Sequence, residues 1–383
     1  MSAPRKDPTR GTWYFVEEMP SPNGKRRQVK RRGFPTKKAA EHARREFLAR
    51  SEHGTLVDPS RLTVGQYLND QWLPALAGRN LRPTTLYGYQ KVVHAYLVPK
   101  LGHVRLQALD TATVEQSLNT LVAGRSAKTV RNVHGVLSKA LADALRWRLV
   151  NGNAASAVLL PRLERRPPRA WTLEQTTRFL THVEHDRLGP LWRFLVVTGV
   201  RRGEALGLRW RDVDRGAKKV TITRTRTIVV GGVADGPTKS AAGARTIVLD
   251  EQTVSILRGW HRDQRSEYLR LGVRPDHDLV FTSEKGEGLW PNRVTIRFGA
   301  VCDELGLPRI GVHGLRHSAA TFMIGTGVSP KLVAQRFGHA NPSITLGFYS
   351  HVMPGHDQAA ADAYASALAS CDQSVTTELD VTL

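Results

Sequence analysis

The chain is poor in cysteine. Only Cys302 and Cys371 occur in 383 residues, with no CxxC spacing, so no disulfide framework is in prospect and a reducing interior suits the composition. It has no unbroken apolar run near the roughly 18 residues that a membrane-spanning helix needs. The opening MSAPRKDPTRGTW lacks the apolar core of a secretory signal, and no internal repeat or low-complexity tract is present. Acidic residues are also scarce: 34 Asp and Glu face 56 Lys and Arg, a formal net charge of +22. A chain charged in this way is drawn to polyanions, nucleic acid ahead of an anionic membrane. The expectation is a soluble, cytoplasmic, DNA-associated protein, on the nucleoid when bound, with no membrane partner.

What is present suggests two or three domains, because 383 residues exceed the usual span of one hydrophobic core while 40% hydrophobic content allows normal folding. Residues 1–58 are strongly basic. GTWYFVEEM, SPNG and KRRQVKRRGF read as two strands around an Asn-Gly hairpin turn, and TKKAAEHARREFLAR as a capped helix from Thr36 to about Arg50. Lys25, Arg26, Arg27, Lys30, Arg31 and Arg32 lie along the second strand, either as a DNA-contacting edge or as solvated charge that discourages strand aggregation. Residues 61–155 carry apolar residues at three- and four-residue steps, the pattern of a helical bundle, with Asn151-Gly152 stopping its last helix. Residues 156–168, with PRLERRPP, have the composition of a linker.

From 169 to 370 the pattern is α+β. TLEQ at 172–175 is a capping box, a helix through LWRFLVVTG ends at Gly199, and RRGEALGLRW forms another. KVTITRTRTIVV then reads as strand, GGVADGPTKSAAGA as a Gly-rich connection and RTIVLD as a second strand, before helices resume. The tail 371–383 is polar and loose. The fold class is therefore multidomain and mainly α with small β elements.

Within VHGLRHSAAT, residues 312–321, His313, Arg316 and His317 are three and four apart and share one helix face. A zinc site would want a carboxylate beside the histidines and no guanidinium among them, whereas an arginine fork matches the oxygens of a phosphodiester. Phosphate is the favoured ligand. In TGVRRGEALGLRW, Arg201 follows the helix-ending Gly199, and Glu204, three residues on, can hold its guanidinium; a plain ion pair would look the same. In FGHANPSITLGFYSHV, His339 closes one helix, Asn341-Pro342 opens the next, and Tyr349 sits in its second turn, where core packing is the commonest role for a tyrosine.

TGxRxGE, then HxLRH, then GH followed by Tyr in this order resembles the tyrosine recombinase family, its phage-type integrases in particular. The resemblance implies that Arg201 and Arg316 clamp the scissile phosphate, that Glu204 supports the first, and that His313 assists proton transfer. It implies further that His339 donates to a non-bridging oxygen, that Tyr349 is the nucleophile, and that His317 supports the pocket. The family's general-acid lysine falls on Lys239 in PTKSAAGARTIVL, with Lys218 and Lys219 as the alternatives. His339 and Tyr349 are ten residues apart where nine is commoner, the extra one falling at Asn341-Pro342. By the same resemblance residues 61–155 form a core-binding domain, 1–58 an arm-type DNA-binding module, usually with three strands, and 169–370 the catalytic domain.

The implied reaction moves a DNA strand to tyrosine as a 3′-phosphotyrosine ester and on to a 5′ hydroxyl of a second duplex, integrating or excising a mobile element without cofactor, metal or ATP. Its partners are double-stranded recombination sites, a homotetramer on two duplexes, and an accessory DNA-bending or directionality factor. Three rivals remain: a DNA-binding regulator that does no chemistry, a zinc hydrolase built on His313 and His317, and a relaxing topoisomerase.

Overall fold

The computed structural model describes residues 3–20, 26–52, 57, 59–163, 169–238 and 243–338. The chain divides into two compact units, Met1–Glu164 and Arg165–Leu383. Among the described residues no helix is long and apolar enough to cross a membrane.

The first unit opens with an antiparallel sheet of three strands in the order β1 (Arg5–Lys6), β2 (Trp13–Pro20), β3 (Arg26–Phe34). Alternation pointed to two strands; the third is two residues long, too short to show a period. The SPNG turn lies outside the described residues. Trp13 pairs with Phe34 and Tyr14 with Arg32, which leaves Gly33 as an extra residue at φ +95°. This bulge resets the side-chain alternation, so that Phe34 reaches the inner face and stacks on buried Phe15, 5.7 Å between centroids. The helix Lys37–Glu52 covers that face, starting where the Thr36 hydroxyl accepts the Ala39 N–H at 3.1 Å.

Four helical runs follow in the same unit. The first joins Val64–Gln66, Tyr67–Trp72 and Leu73–Ala77, with the middle stretch π-helical, and begins in a capping box between Thr63 and Gln66. The second spans Pro83–Val92, a π-helical stretch Val93–Leu97 and Val98–Leu101. Thr111–Val122 and Ala127–Arg146 are capped by Asp110 and Ser126. Their apolar faces meet around Trp72, whose indole N–H donates to Asp143 at 2.8 Å, with Arg79 on the same oxygen at 2.7 Å. The last helix stops at Arg146, ahead of Asn151-Gly152, because Arg148 takes the left-handed conformation at φ +58°.

In the second unit the helices Leu173–His182 and Gly189–Thr198 pack with Pro291–Glu304 around an aromatic cluster of Trp171, Phe179, Trp192 and Phe298. Thr172 and Gln175 make the capping box that TLEQ promised. The helix after Gly199 is shorter than its sequence suggested, only Arg202–Leu206, since Gly207 ends it. The run KVTITRTRTIVV is two strands, not one: β5 (Lys219–Ile222) lies between β4 (Val213–Asp214) and β8 (Arg245–Val248), while β6 (Arg224–Val229) pairs with β7 (Gly232–Pro237) in a separate hairpin. Strand β7 was hidden by two glycines and a proline, residues depleted from strands, and forms because β6 supplies a partner in full register. Helices Glu251–Leu271, Val312–Gly325 and Pro330–Phe337 complete the described part.

Candidate active site

The site begins at a helix end. Gly199 closes Gly189–Thr198 in the left-handed region at φ +63°, and a Cβ there would stand 2.4 Å from the ring of Phe337. Only glycine fits both demands. The turn aims the Gly199 carbonyl at Arg316, whose Nη1 donates to it at 2.7 Å. Two residues on, Arg201 is extended, and its own N–H donates to Glu204 Oε2 at 3.0 Å while Nη1 donates to Oε1 at 2.7 Å. Glu204 sits on the short helix that the β6–β7 hairpin overlies; a Cβ on Gly203 would lie 2.6 Å from the Thr225 hydroxyl.

Arg316 stands on Val312–Gly325 and is 3% exposed. Its Nη2 donates to the Phe337 carbonyl at 2.6 Å, and its guanidinium carbon lies 4.7 Å from the centre of that ring. Arg201 Nη2 donates to the next carbonyl, Gly338, at 3.3 Å. Burial, and next the charge of Arg201, push Arg316 down to about 9 from an ordinary arginine's value. It stays cationic at neutral pH, in a place short of negative charge that an anion would complete.

His313 occupies the first turn of the same helix, its ring edge-on to His317 with centroids 4.7 Å apart. Partial burial, then the neighbouring His317 and the charges of Arg316 and Arg201, push it down to about 4. His317 is lowered by burial and by Arg316. Both imidazoles are therefore neutral at physiological pH and able to accept a proton.

Arg201 and Glu204 from one stretch of chain are thus brought together with His313, Arg316 and His317 from another, against the Phe337 and Gly338 carbonyls of a third. Lys239, His339 and Tyr349 lie outside the described residues, as does Lys25; Gly338, which meets Arg201, immediately precedes His339. Of the two alternative lysines, Lys218 pairs with Glu251 and Lys219 points outward from β5, opposite in parity to buried Val220 and Ile222. Among the described residues no group of three His, Cys, Asp or Glu side chains could hold a metal ion.

Arg245 was given no role by sequence reasoning. It donates from Nη2 to Glu204 Oε2 at 2.9 Å, from Nε to the Arg336 carbonyl at 2.7 Å and from Nη1 to the Gly243 carbonyl at 2.9 Å. Strand parity held the signal: Arg245 shares the inward face of β8 with buried Ile247, and a charge on an apolar face needs a partner.

Residues 170–356 match the phage integrase family and residues 4–51 the Arm DNA-binding domain. A protein named Tyrosine recombinase XerC-like from Caldanaerobacter subterraneus is 25% identical over 83% of this chain and 87% of its own length. An integrase from Streptomyces ambofaciens is 28% identical over 86% of each. Among solved structures, the Tn1549 transposon integrase in complex with transposon right end DNA aligns with a TM-score of 0.64 at 21% identity, covering 78% of this chain and 98% of that one. A lambda integrase tetramer bound to a Holliday junction aligns with a TM-score of 0.56 at 18% identity, covering 90% and 94%. The folds agree: mainly helical, with small sheets. With the arginine site assembled inside the longer of the two family matches, the chain carries a phage integrase family domain, like its relatives named tyrosine recombinase and integrase, and an Arm DNA-binding domain.

Proposed function

We propose that the chain recombines two specific DNA sites, integrating or excising a mobile element, with Tyr349 as nucleophile and Arg201 and Arg316 as the clamp on the scissile phosphate. The observation that carries this reading is that both guanidinium groups are fixed by carbonyls at one helix end, within a shell of neutral histidines. A phosphodiester resists attack because its oxygens are anionic and gain charge in the transition state; cationic donors held in advance answer that without reorganising.

The Tyr349 hydroxyl attacks phosphorus and the 5′ oxygen leaves, giving a 3′-phosphotyrosine ester. The tyrosine proton passes to His313, which burial and then its neighbours keep neutral, and Lys239 protonates the departing 5′ oxygen. Glu204 and His317 support the pocket, and His339 donates to a non-bridging oxygen. One ester replaces another, so a 5′ hydroxyl from the second duplex reverses the step and joins the strands without ATP. Cutting one strand of each duplex per round calls for four copies on two duplexes, and an accessory DNA-bending or directionality factor sets which direction prevails. The work is done in the cytoplasm, on the nucleoid.

A nicked suicide duplex tests this directly. Wild-type protein is expected to accumulate a covalent adduct, and Tyr349→Phe to bind the site yet form none; an adduct that persists removes Tyr349 from its role. A protein that only regulates DNA would give no adduct in either form, and a topoisomerase would relax supercoils without exchanging strands between two sites.

A further inference from the structure

Three arginines from separate elements donate to three consecutive carbonyls at the end of the helix Pro330–Phe337: Arg245 to Arg336, Arg316 to Phe337 and Arg201 to Gly338. A helix end leaves its last carbonyls without helical partners and carries partial negative charge, so cations settle there. Two of the three form the proposed phosphate clamp. The third has a side chain only 7% exposed, and all three of its nitrogens are engaged within the protein.

Glu204 is where Arg245 meets the clamp. The carboxylate is 4% exposed. Burial works to raise its pKa; the hydrogen bond and charge of Arg245 come next, ahead of the two hydrogen bonds from Arg201, and together they hold it below the ordinary carboxylate value. Without Arg245, Oε2 would retain the Arg201 N–H at 3.0 Å, and a poorly compensated buried charge would compete with phosphate for the Arg201 guanidinium. The remaining bond of Arg245 reaches the carbonyl of Gly243, four residues after Lys239 in sequence. Gly243 and Thr238 flank residues 239–242 and are in close contact, a Cβ on Gly243 standing 2.7 Å from the Thr238 Cβ; Arg245 holds the Gly243 side of that neck.

We propose that Arg245 is a positioning residue for strand cleavage, which seats Glu204 so that Arg201 faces the phosphate and fixes the Gly243 end of the segment bearing Lys239. This rests on the reading of Arg201 and Lys239 given above.

The test uses the full chain in single-turnover cleavage of three nicked duplexes. One has an ordinary scissile phosphate. One has a methylphosphonate there, which removes a negative oxygen and lessens the need for a clamp. The third has a 5′-bridging phosphorothiolate, whose thiolate leaves without a general acid. Arg245→Lys is expected to slow ordinary cleavage about tenfold or more, since small displacements of reacting groups cost up to about 10²-fold, with site binding within about twofold of wild type. Relative to the ordinary site, cleavage of both modified sites should rise about fivefold or more above the wild-type ratio. Equal loss on all three duplexes, or wild-type rates throughout, overturns the proposal. The double variant Arg245→Gln, Glu204→Gln removes both buried charges at once and guards against a folding defect; it is expected to melt near wild type and still cleave slowly, with the same recovery on modified duplexes. A double variant that cleaves like wild type also overturns it. Absence of any wild-type adduct would instead overturn the reading of the reaction itself, and this proposal with it.

Discussion

Arg316 is bound to Phe337 twice, its Nη2 donating to the residue's carbonyl at 2.6 Å while its guanidinium carbon lies 4.7 Å from the ring centre. The contact fixes the fork from the side and from behind. With the Gly199 carbonyl as a further acceptor at 2.7 Å, the arginine has its place settled before any DNA arrives. Preorganisation of this kind is what makes a donor effective against charge that develops only in the transition state.

Arg316→Lys keeps a positive charge but loses the planar fork, and an ammonium cannot reach both carbonyls and a phosphate oxygen together. Adduct formation on the suicide duplex is expected to fall on the order of 10²- to 10³-fold, with site affinity little changed. A loss confined to binding would remove Arg316 from the clamp.

Gly199→Ala meets two obstacles: a backbone at φ +63° and the Phe337 ring 2.4 Å from the new Cβ. Overpacking against a buried ring costs roughly 1–3 kcal/mol, and the left-handed conformation adds to it. The denaturant midpoint should drop accordingly. Cleavage should fall further than the fraction folded explains, since the displaced ring is the one beneath Arg316. A variant of full stability would show that the ring moves aside freely.

The sequence made the motif residues and most helices legible, because caps and three-to-four spacing act locally. Thr172 with Gln175 and the left-handed Gly199 are examples that a dozen residues suffice to specify. The Arg201–Glu204 pair was readable for the same reason. What escaped depends on partners far along the chain. Strand β7 exists only because β6 lies beside it, and Arg245 bonds to a carboxylate 41 residues away and a carbonyl 91 residues away. No window of sequence contains those distances. Lys30, Arg31 and Arg32 of the arm were likewise read as parts of one set, although strand parity divides these three.

The histidine pair gives the protein a pH signature. His313 has its pKa lowered from 6.5 to about 4, by burial first and then by neighbouring positive charge. The unfolded chain therefore takes up the proton more readily between those values, so this contribution to stability is complete above about pH 6.5 and lost as pH falls toward about 4. As a residue His313 remains exposed, which moderates the size of the effect. Urea midpoints of wild type and His313→Gln, compared at about pH 7 and about pH 4.5, should differ in slope, the variant losing less on acidification. Parallel curves would mean that neither burial nor the cationic surroundings act on this ring.

In the arm, Phe15 faces the helix Lys37–Glu52 and pairs across the sheet with Arg31, so Arg31 shares the packed face. Its guanidinium carbon lies 6.0 Å from the Phe47 ring. Lys30 and Arg32 point the other way: Lys30 Nζ sits 4.1 Å above the Tyr14 ring, Arg32 pairs with Tyr14, and both basic residues are exposed. The open face can meet phosphates, while the packed face serves the module's own core. Lys30→Ala and Arg32→Ala should each reduce the log-log salt slope of arm-site binding by about 0.9, the share of one neutralised phosphate, and leave thermal stability nearly untouched. Arg31→Ala should leave the slope unchanged and lower the melting temperature, through the lost packing of its stem on Phe47. Equal salt slopes for all three variants would show that the module engages DNA by some other surface.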